Sequence, residues 1–159
     1  IEYGLSDTVF QLNDKLKELN PKSLDSLIKS NNSKPIYLNF WSARYAGSSI
    51  LPNLPASLIF ESDNNDKLRF INVCVDEAKY KGLWAAKVID NNWESEHYFF
   101  PSENLDSIKN LFELPNLNTF CYSGASFSLI DLKGNIIKNV ESTLYLTKEK
   151  LNEYIKTVR

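Results

Sequence analysis

The chain has no methionine, one histidine and two cysteines among its 159 residues. Each scarcity removes a class of chemistry. The histidine, His97, has no second His or Cys nearby in sequence, so it lacks the company of a metal site, and we read it as a partly buried packing residue. Cys74 and Cys121 are too few for a disulfide framework and show neither C-x-x-C nor zinc-ligand spacing. Cysteine usage therefore leaves the compartment open. A chain that starts at Ile1 and lacks methionine does not begin at a natural initiator. The expectation is a processed mature form or a part of a longer protein, from which a signal peptide could have been removed. Basic charge is also lacking: the net charge is -2 and the pI about 5.5, which argues against nucleic acid as a partner. No apolar run approaches the ~20 residues of a membrane span. What remains is ordinary for a globular domain, with 43% hydrophobic and 24% charged residues. The length fits one domain with a formed core and room for an extension. Aromatics, at 13%, are slightly rich.

Residues 6–20 place Val9, Phe10, Leu12, Leu16 and Leu19 at helical intervals, with Ser6 or Asp7 as a cap. Asn20 and Pro21 break that pattern. A short second helix over 23–29 carries Leu24, Leu27 and Ile28 on one face, and residues 30–35 form a polar linker. This predicts an N-terminal helical extension over residues 1–33 and a main domain over 34–159. Residues 36–41 read as a strand with large residues on both faces, which suits a central position covered on both sides. A helix over 48–61 follows, capped by Ser48 or Ser49 and complicated by Pro52 and Pro55. A turn at 63–66 leads to a second strand at 68–75, and strand, helix and strand in that spacing make a parallel unit. A helix over 80–89, a short aromatic strand or loop at 97–100 and a helix over 104–114 come next. Then a strand at 127–132, a hairpin turn at 133–135 and a strand at 136–140 pair antiparallel. Thr147 caps a last helix bearing Leu151, Tyr154, Ile155 and Val158. The expected fold class is α/β, a central mixed sheet flanked by helices.

Two stretches of this order resemble the thioredoxin superfamily, and within it the branch of TlpA- and ResA-like thiol-disulfide oxidoreductases of bacterial envelopes. The first is Lys34-Pro-Ile-Tyr-Leu-Asn-Phe-Trp-Ser-Ala, similar to that branch's G-K-x-h-h-h-N-F-W-A-S strand, with h apolar. The second is Gly124-Ala-Ser-Phe-Ser-Leu-Ile-Asp-Leu-Lys-Gly-Asn-Ile-Ile, similar to G-x-P-x-x-x-L-I-D-x-x-G-x-I. Val73-Cys-Val-Asp-Glu resembles the second strand with its trailing acids, and Trp84 the tryptophan of the next helix. The resemblance implies a thioredoxin-like fold and a periplasmic or envelope location. It also implies that Asn39 occupies a site where many thioredoxins bury an acid.

The family's redox residues are missing. On this alignment C-x-x-C reads Tyr45-Ala46-Gly47-Ser48, with Ser49 an alternative second position, and the cis-proline falls near Ala125, where a trans peptide is expected. Thiol–disulfide exchange needs a thiolate of depressed pKa and a second thiol. A tyrosine phenol forms no disulfide, and a serine hydroxyl is inert without a base. Ordinary redox catalysis at this position is therefore not expected, nor is any cofactor or metal.

Cys74 and Cys121 are the candidate thiols for a relocated pair. The resembled sheet order puts the first core strand between them, so they start two strand spacings of ~4.7–4.9 Å apart, against a disulfide limit of ~7 Å between Cα atoms. The plainer reading is a buried Cys74 packed as a small hydrophobe and a Cys121 in a loop. Asp76 and Glu77 read as solvated acids, and Asp131 as turn chemistry. Trp41, Arg44 and Tyr45 form a possible binding rim for an extended peptide or an acidic group. Three functional readings follow. One is a redox-inactive thioredoxin-like domain that binds, or serves as a module of a larger protein. The second is a divergent oxidoreductase using Cys74 or Cys121. The third is an interaction module working through the N-terminal helices. The partner would be a protein or extended peptide; the oligomeric state is open.

Overall fold

A computed structural model describes residues 16–30, 33–44, 66–90, 96–117, 126–140 and 147–158. The helix expected over 48–61, residues 45–48, Cys121 and Ala125 lie outside the described residues. The elements are β1 (Lys17–Glu18), α1 (Pro21–Lys29), β2 (Ile36–Trp41), β3 (Arg69–Asp76), α2 (Lys81–Asp90), β4 (Glu96–Pro101), α3 (Asp106–Lys109), β5 (Ser126–Ile130), β6 (Ile136–Val140) and α4 (Lys148–Thr157). Single 3₁₀ turns at Ala78–Tyr80 and Ser102–Asn104 lead into α2 and α3. The six strands make one sheet in the order β1-β4-β3-β2-β5-β6. β1, β4, β3 and β2 run parallel, and β5 and β6 are antiparallel to their neighbours. This is the mixed, helix-flanked sheet that the sequence predicts.

β2 is central because all six of its residues are buried. Strand alternation sends Ile36, Leu38 and Phe40 to one face, where they pack with Leu24 and Ile28 of α1 and Ile108 of α3. Tyr37 and Trp41 go to the other. Tyr37 stacks on Phe127 at 4.4 Å beneath Leu151 and Ile155 of α4, and Trp41 packs with Cys74, Phe99 and the α2 residues Trp84, Ala85 and Val88. Arg69 and Glu96 form a two-pronged pair with both N–O distances 2.6 Å, tying the starts of β3 and β4 together. Tyr98 adds its hydroxyl to Glu96 at 3.1 Å.

The N-terminal stretch differs from expectation. Lys17 and Glu18 are not the end of a helix but a strand paired with Tyr98 and Phe99. Leu16 and Leu19, three apart, would share a helix face; in an extended chain an odd spacing puts them on opposite faces. Leu16 joins the cluster under α2 and Leu19 the cluster under α1. Nor does Pro21 end a helix. It opens one, in the first helical position where its missing N–H matters least. Asn20 caps that helix reciprocally: its Oδ1 accepts the Ser23 N–H at 2.8 Å, and Ser23 Oγ accepts the Asn20 N–H at 2.8 Å.

The helix expected over 104–114 is also shorter, four residues of α3 after a 3₁₀ turn. Glu113 lies at φ +53, in the left-handed region that stops a helix, and Leu111 points outward at 57% exposure. The aromatic stretch at 97–100 is a full strand rather than a loop, because its partner β3 offers a complete parallel edge. The hairpin between β5 and β6 turns where predicted. Asp131 Oδ1 accepts the N–H groups of Lys133 and Asn135, each at 2.9 Å, and Gly134 takes φ +86. Thr147 caps α4, accepting the Lys150 N–H at 3.1 Å.

Candidate functional site at the ends of β2 and β3

In a parallel sheet, side chains at the carboxyl ends of adjacent strands converge with the loops that follow, and ligand sites gather there. Here those ends belong to β2 and β3. Along β3, alternation places Phe70, Asn72, Cys74 and Asp76 on the face covered by α2 and α4. Asp76 is therefore drawn inside with its neighbours, at 0% exposure, and is not the solvated acid that the sequence suggests. Glu77, one residue on, turns outward and stands at the rim.

The Asp76 carboxylate is met by the turn that follows β2. The Ser42 hydroxyl donates to Oδ1 at 2.8 Å and to Oδ2 at 3.0 Å. The Arg44 N–H donates to Oδ2 at 3.3 Å, and the Cys74 thiol approaches the same oxygen at 3.5 Å. Burial pushes the Asp76 pKa up; the donors from Ser42, Arg44, Cys74 and the Ala43 backbone pull it back but do not cancel that rise. Burial likewise drives the Cys74 pKa well above its ordinary value, and the nearby Asp76 charge adds to it. Lys87 reaches toward both from α2. Burial lowers its pKa, while the Cys74 and Asp76 charges oppose that fall.

Above this buried set lies a polar rim. Arg44 Nη1 pairs with Glu77 Oε1 at 3.1 Å, and its guanidinium sits 5.1 Å from the centre of the Tyr80 ring. Lys79 Nζ pairs with Glu77 Oε2 at 3.3 Å and stands 5.2 Å from the same ring. Two cations thus share one carboxylate and one aromatic ring. Exposed pairs of this kind each contribute only ~0.2–1 kcal/mol to stability.

The site residues named from sequence separate in three ways. Arg44 is partly exposed in the turn after β2, beside Glu77. Trp41 is not: it is fully buried, because its place on β2 points it at Cys74 and Trp84. Tyr45 to Ser48, Ala125 and Cys121 are outside the described residues. Cys74 is the buried, free thiol of the plainer reading. Sequence reasoning missed Ser42 and the burial of Asp76; the signal was the unbroken alternation of β3, carried one residue past its apolar run. Asn39 is buried in register with Asn72, and its Nδ2 donates to Asn72 Oδ1 at 3.3 Å. His97 is next in that row on β4, and burial holds its pKa down to about 4.

Among the described residues, no three His, Cys, Asp or Glu side chains come together as metal ligands, and no helix is long and apolar enough to cross a membrane. A groove of about 30 Å³ between α1 and α3, lined by Leu24, Asp25, Ile28, Ile108 and Phe112 among others, lies on the opposite face.

No family model matches the chain, and no curated protein matches it significantly. Solved structures do. A thioredoxin-like protein from Porphyromonas gingivalis is 19% identical, with a TM-score of 0.57 over 80% of this chain and 77% of its own. An exposed lipoprotein thioredoxin from Streptococcus pneumoniae is 15% identical, with a TM-score of 0.54 over 81% of this chain and 88% of its own. A secreted disulfide oxidoreductase from Mycobacterium tuberculosis is 15% identical, with a TM-score of 0.54 over 80% and 84%. At these identities the likeness shows the fold. It is thioredoxin-like, and the structural neighbours are thiol-disulfide oxidoreductases and their relatives.

Proposed function

We propose that this thioredoxin-like domain performs no thiol–disulfide exchange and uses the carboxyl ends of β2 and β3 as a binding edge, alone or as a module of a larger envelope protein. The observation that carries this reading is the state of Cys74. It is the one thiol among the described residues, fully buried, with its pKa raised by that burial and by Asp76. Exchange requires an exposed thiolate, and this thiol is neither exposed nor ionised near neutral pH. The segment that would carry the family's cysteines reads Tyr45-Ala46-Gly47-Ser48. The described residues at these strand ends present the rim of Arg44, Lys79 and Tyr80, which suits an acidic or extended peptide better than a redox partner. The envelope location draws support from neighbours named as secreted or as exposed lipoproteins.

Insulin reduction with dithiothreitol, together with site-resolved alkylation, tests the reading. The expected outcome is no turnover above the dithiothreitol blank. Cys74 should be alkylated by N-ethylmaleimide about 100-fold more slowly in the folded protein than in denaturant, since only the thiolate reacts. Turnover that Cys74→Ser or Cys121→Ser abolishes would establish an oxidoreductase instead.

A further inference from the structure

The groups that hydrogen-bond the buried Asp76 carboxylate are neutral ones. The Arg44 N–H and the Cys74 thiol meet Oδ2, the single Ser42 hydroxyl hydrogen is shared between Oδ1 and Oδ2, and the Ala43 N–H also donates to the carboxylate. An ionised carboxylate is an acceptor only, and a protonated one gains a donor and loses acceptor capacity. A proton on Oδ2 would face the Arg44 N–H and the Cys74 thiol, so Oδ1 is the oxygen that takes it. There it is donated to Ser42 Oγ while the Ser42 hydroxyl donates to Oδ2, 3.0 Å away, so the contacts persist. What protonation removes is the acceptor's charge: the bonds that Oδ2 receives from the Arg44 N–H and Ser42 become neutral ones, roughly half as strong.

We propose that Asp76 is an acid-operated fastener for residues 42–44: as a carboxylate it holds the turn through the Ser42 hydroxyl and the Arg44 N–H, and on taking up a proton it loosens that hold and with it the Arg44–Glu77–Tyr80 rim. This rests on the reading of these strand ends as a binding edge and supplies that edge with a response to pH. Each element packed around the carboxylate contributes to its balance. On β3 itself, Cys74 stays a neutral thiol. From the turn after β2 come the Ser42 hydroxyl and the N–H groups of Ala43 and Arg44. From α2, the Lys87 ammonium favours the ionised form. On β4 the register partner is Pro101, which does not titrate. Glu77 is held outward by Arg44 and Lys79. Burial outweighs the donors, so proton uptake begins above the usual carboxylate range.

The test is nuclear magnetic resonance on the whole chain between pH 7.5 and 4.5. It follows the Asp76 carboxyl carbon shift and the amide exchange of Arg44, corrected for intrinsic pH dependence, with Leu38 in the middle of β2 as reference. Loss of the charge on its acceptor should lower Arg44 protection about tenfold, with the same midpoint as the Asp76 carbon and with Leu38 largely unaffected. Ser42→Ala should move that midpoint to higher pH, because it deletes a donor that favours the carboxylate. Asp76→Asn should remove the pH response and leave Arg44 weakly protected throughout. Arg44 protection that stays flat while Asp76 titrates overturns the proposal, as does a loss shared in full by Leu38 or retained in Asp76→Asn. Should Asp76→Asn fail to fold, the wild-type titration and Ser42→Ala still decide. Insulin turnover on the same sample speaks to the other reading alone: a positive result removes the non-redox function and leaves the fastener standing or falling on its exchange data.

Discussion

Asn39 of β2 and Asn72 of β3 are register partners, both closed off from solvent, and joined by a side-chain hydrogen bond of 3.3 Å. Asn72 passes the chain on, donating to the Glu96 carbonyl at 3.4 Å. An amide suits this place because it is polar without charge. The Asn39 Oδ1 has no partner among the described residues, so an ion there would be poorly served.

Asn39→Asp should therefore destabilise the domain by about 3 kcal/mol at pH 7, the scale of a buried charge without compensation. Burial would raise the new carboxyl's pKa in the folded state above its unfolded value near ~3.9. The loss is then present at neutral pH and recovered as pH falls through the folded pKa. Urea midpoints at pH 7 and pH 5 measure it: the gap between variant and wild type should narrow at pH 5. A variant as stable as wild type at pH 7 would mean that the pair is hydrated.

His97 works in the opposite direction. Burial holds its folded pKa at about 4, below the unfolded value near ~6.5. The folded state thus binds fewer protons between those limits, and stability falls as pH drops through that window. By pH 5 the loss from this residue alone should approach ~2 kcal/mol. His97→Gln should flatten that part of the stability profile, as read from denaturant midpoints between pH 7 and 5. Asp76, whose pKa is raised, contributes with the opposite sign, so the double variant with Asp76→Asn separates the two.

Residues 16–30 are built into the core. Leu24 is 1% exposed, and Leu19 and Ile28 are buried with it against β2 and β3. Leu24→Ala should lower unfolding free energy by about 2–5 kcal/mol. Deleting residues 1–33 should abolish the cooperative thermal transition seen by circular dichroism. A truncated chain that melts cooperatively near the parent temperature would show that α1 is an accessory after all.

Much of this architecture is readable in the residues. β2 and β3 announce themselves as apolar runs because both faces are covered, and the 131–135 turn is written by Asp131 and Gly134. The Thr147 cap is equally plain. The N-terminal stretch misleads for a definite reason: Leu16 and Leu19 satisfy a helical spacing, and only the presence of β4 as a partner makes the extended form better. That partner is about eighty residues away and invisible to local pattern. Asp76 misleads similarly. An acid after a strand is usually solvated, and nothing local reveals that Ser42 and the Arg44 N–H will reach it from β2. The rim of Lys79, Tyr80 and Glu77 is half legible: Arg44 stands out beside the strand motif, whereas its partners lie more than thirty residues away in sequence.

The pairing of β1 with β4 also bears on how the chain is made. Lys17 leaves the ribosome 81 residues ahead of its partner Tyr98. At ~5–20 residues per second, the β1 segment waits several seconds before its hydrogen-bonding edge exists. During that interval Leu16 and Leu19 have β2, β3 and α2 side chains to meet, but the strand that fixes the backbone between them is missing. Lys17 and Glu18 are thus made well before the strand they pair with, and their place in the sheet is fixed only once β4 has emerged.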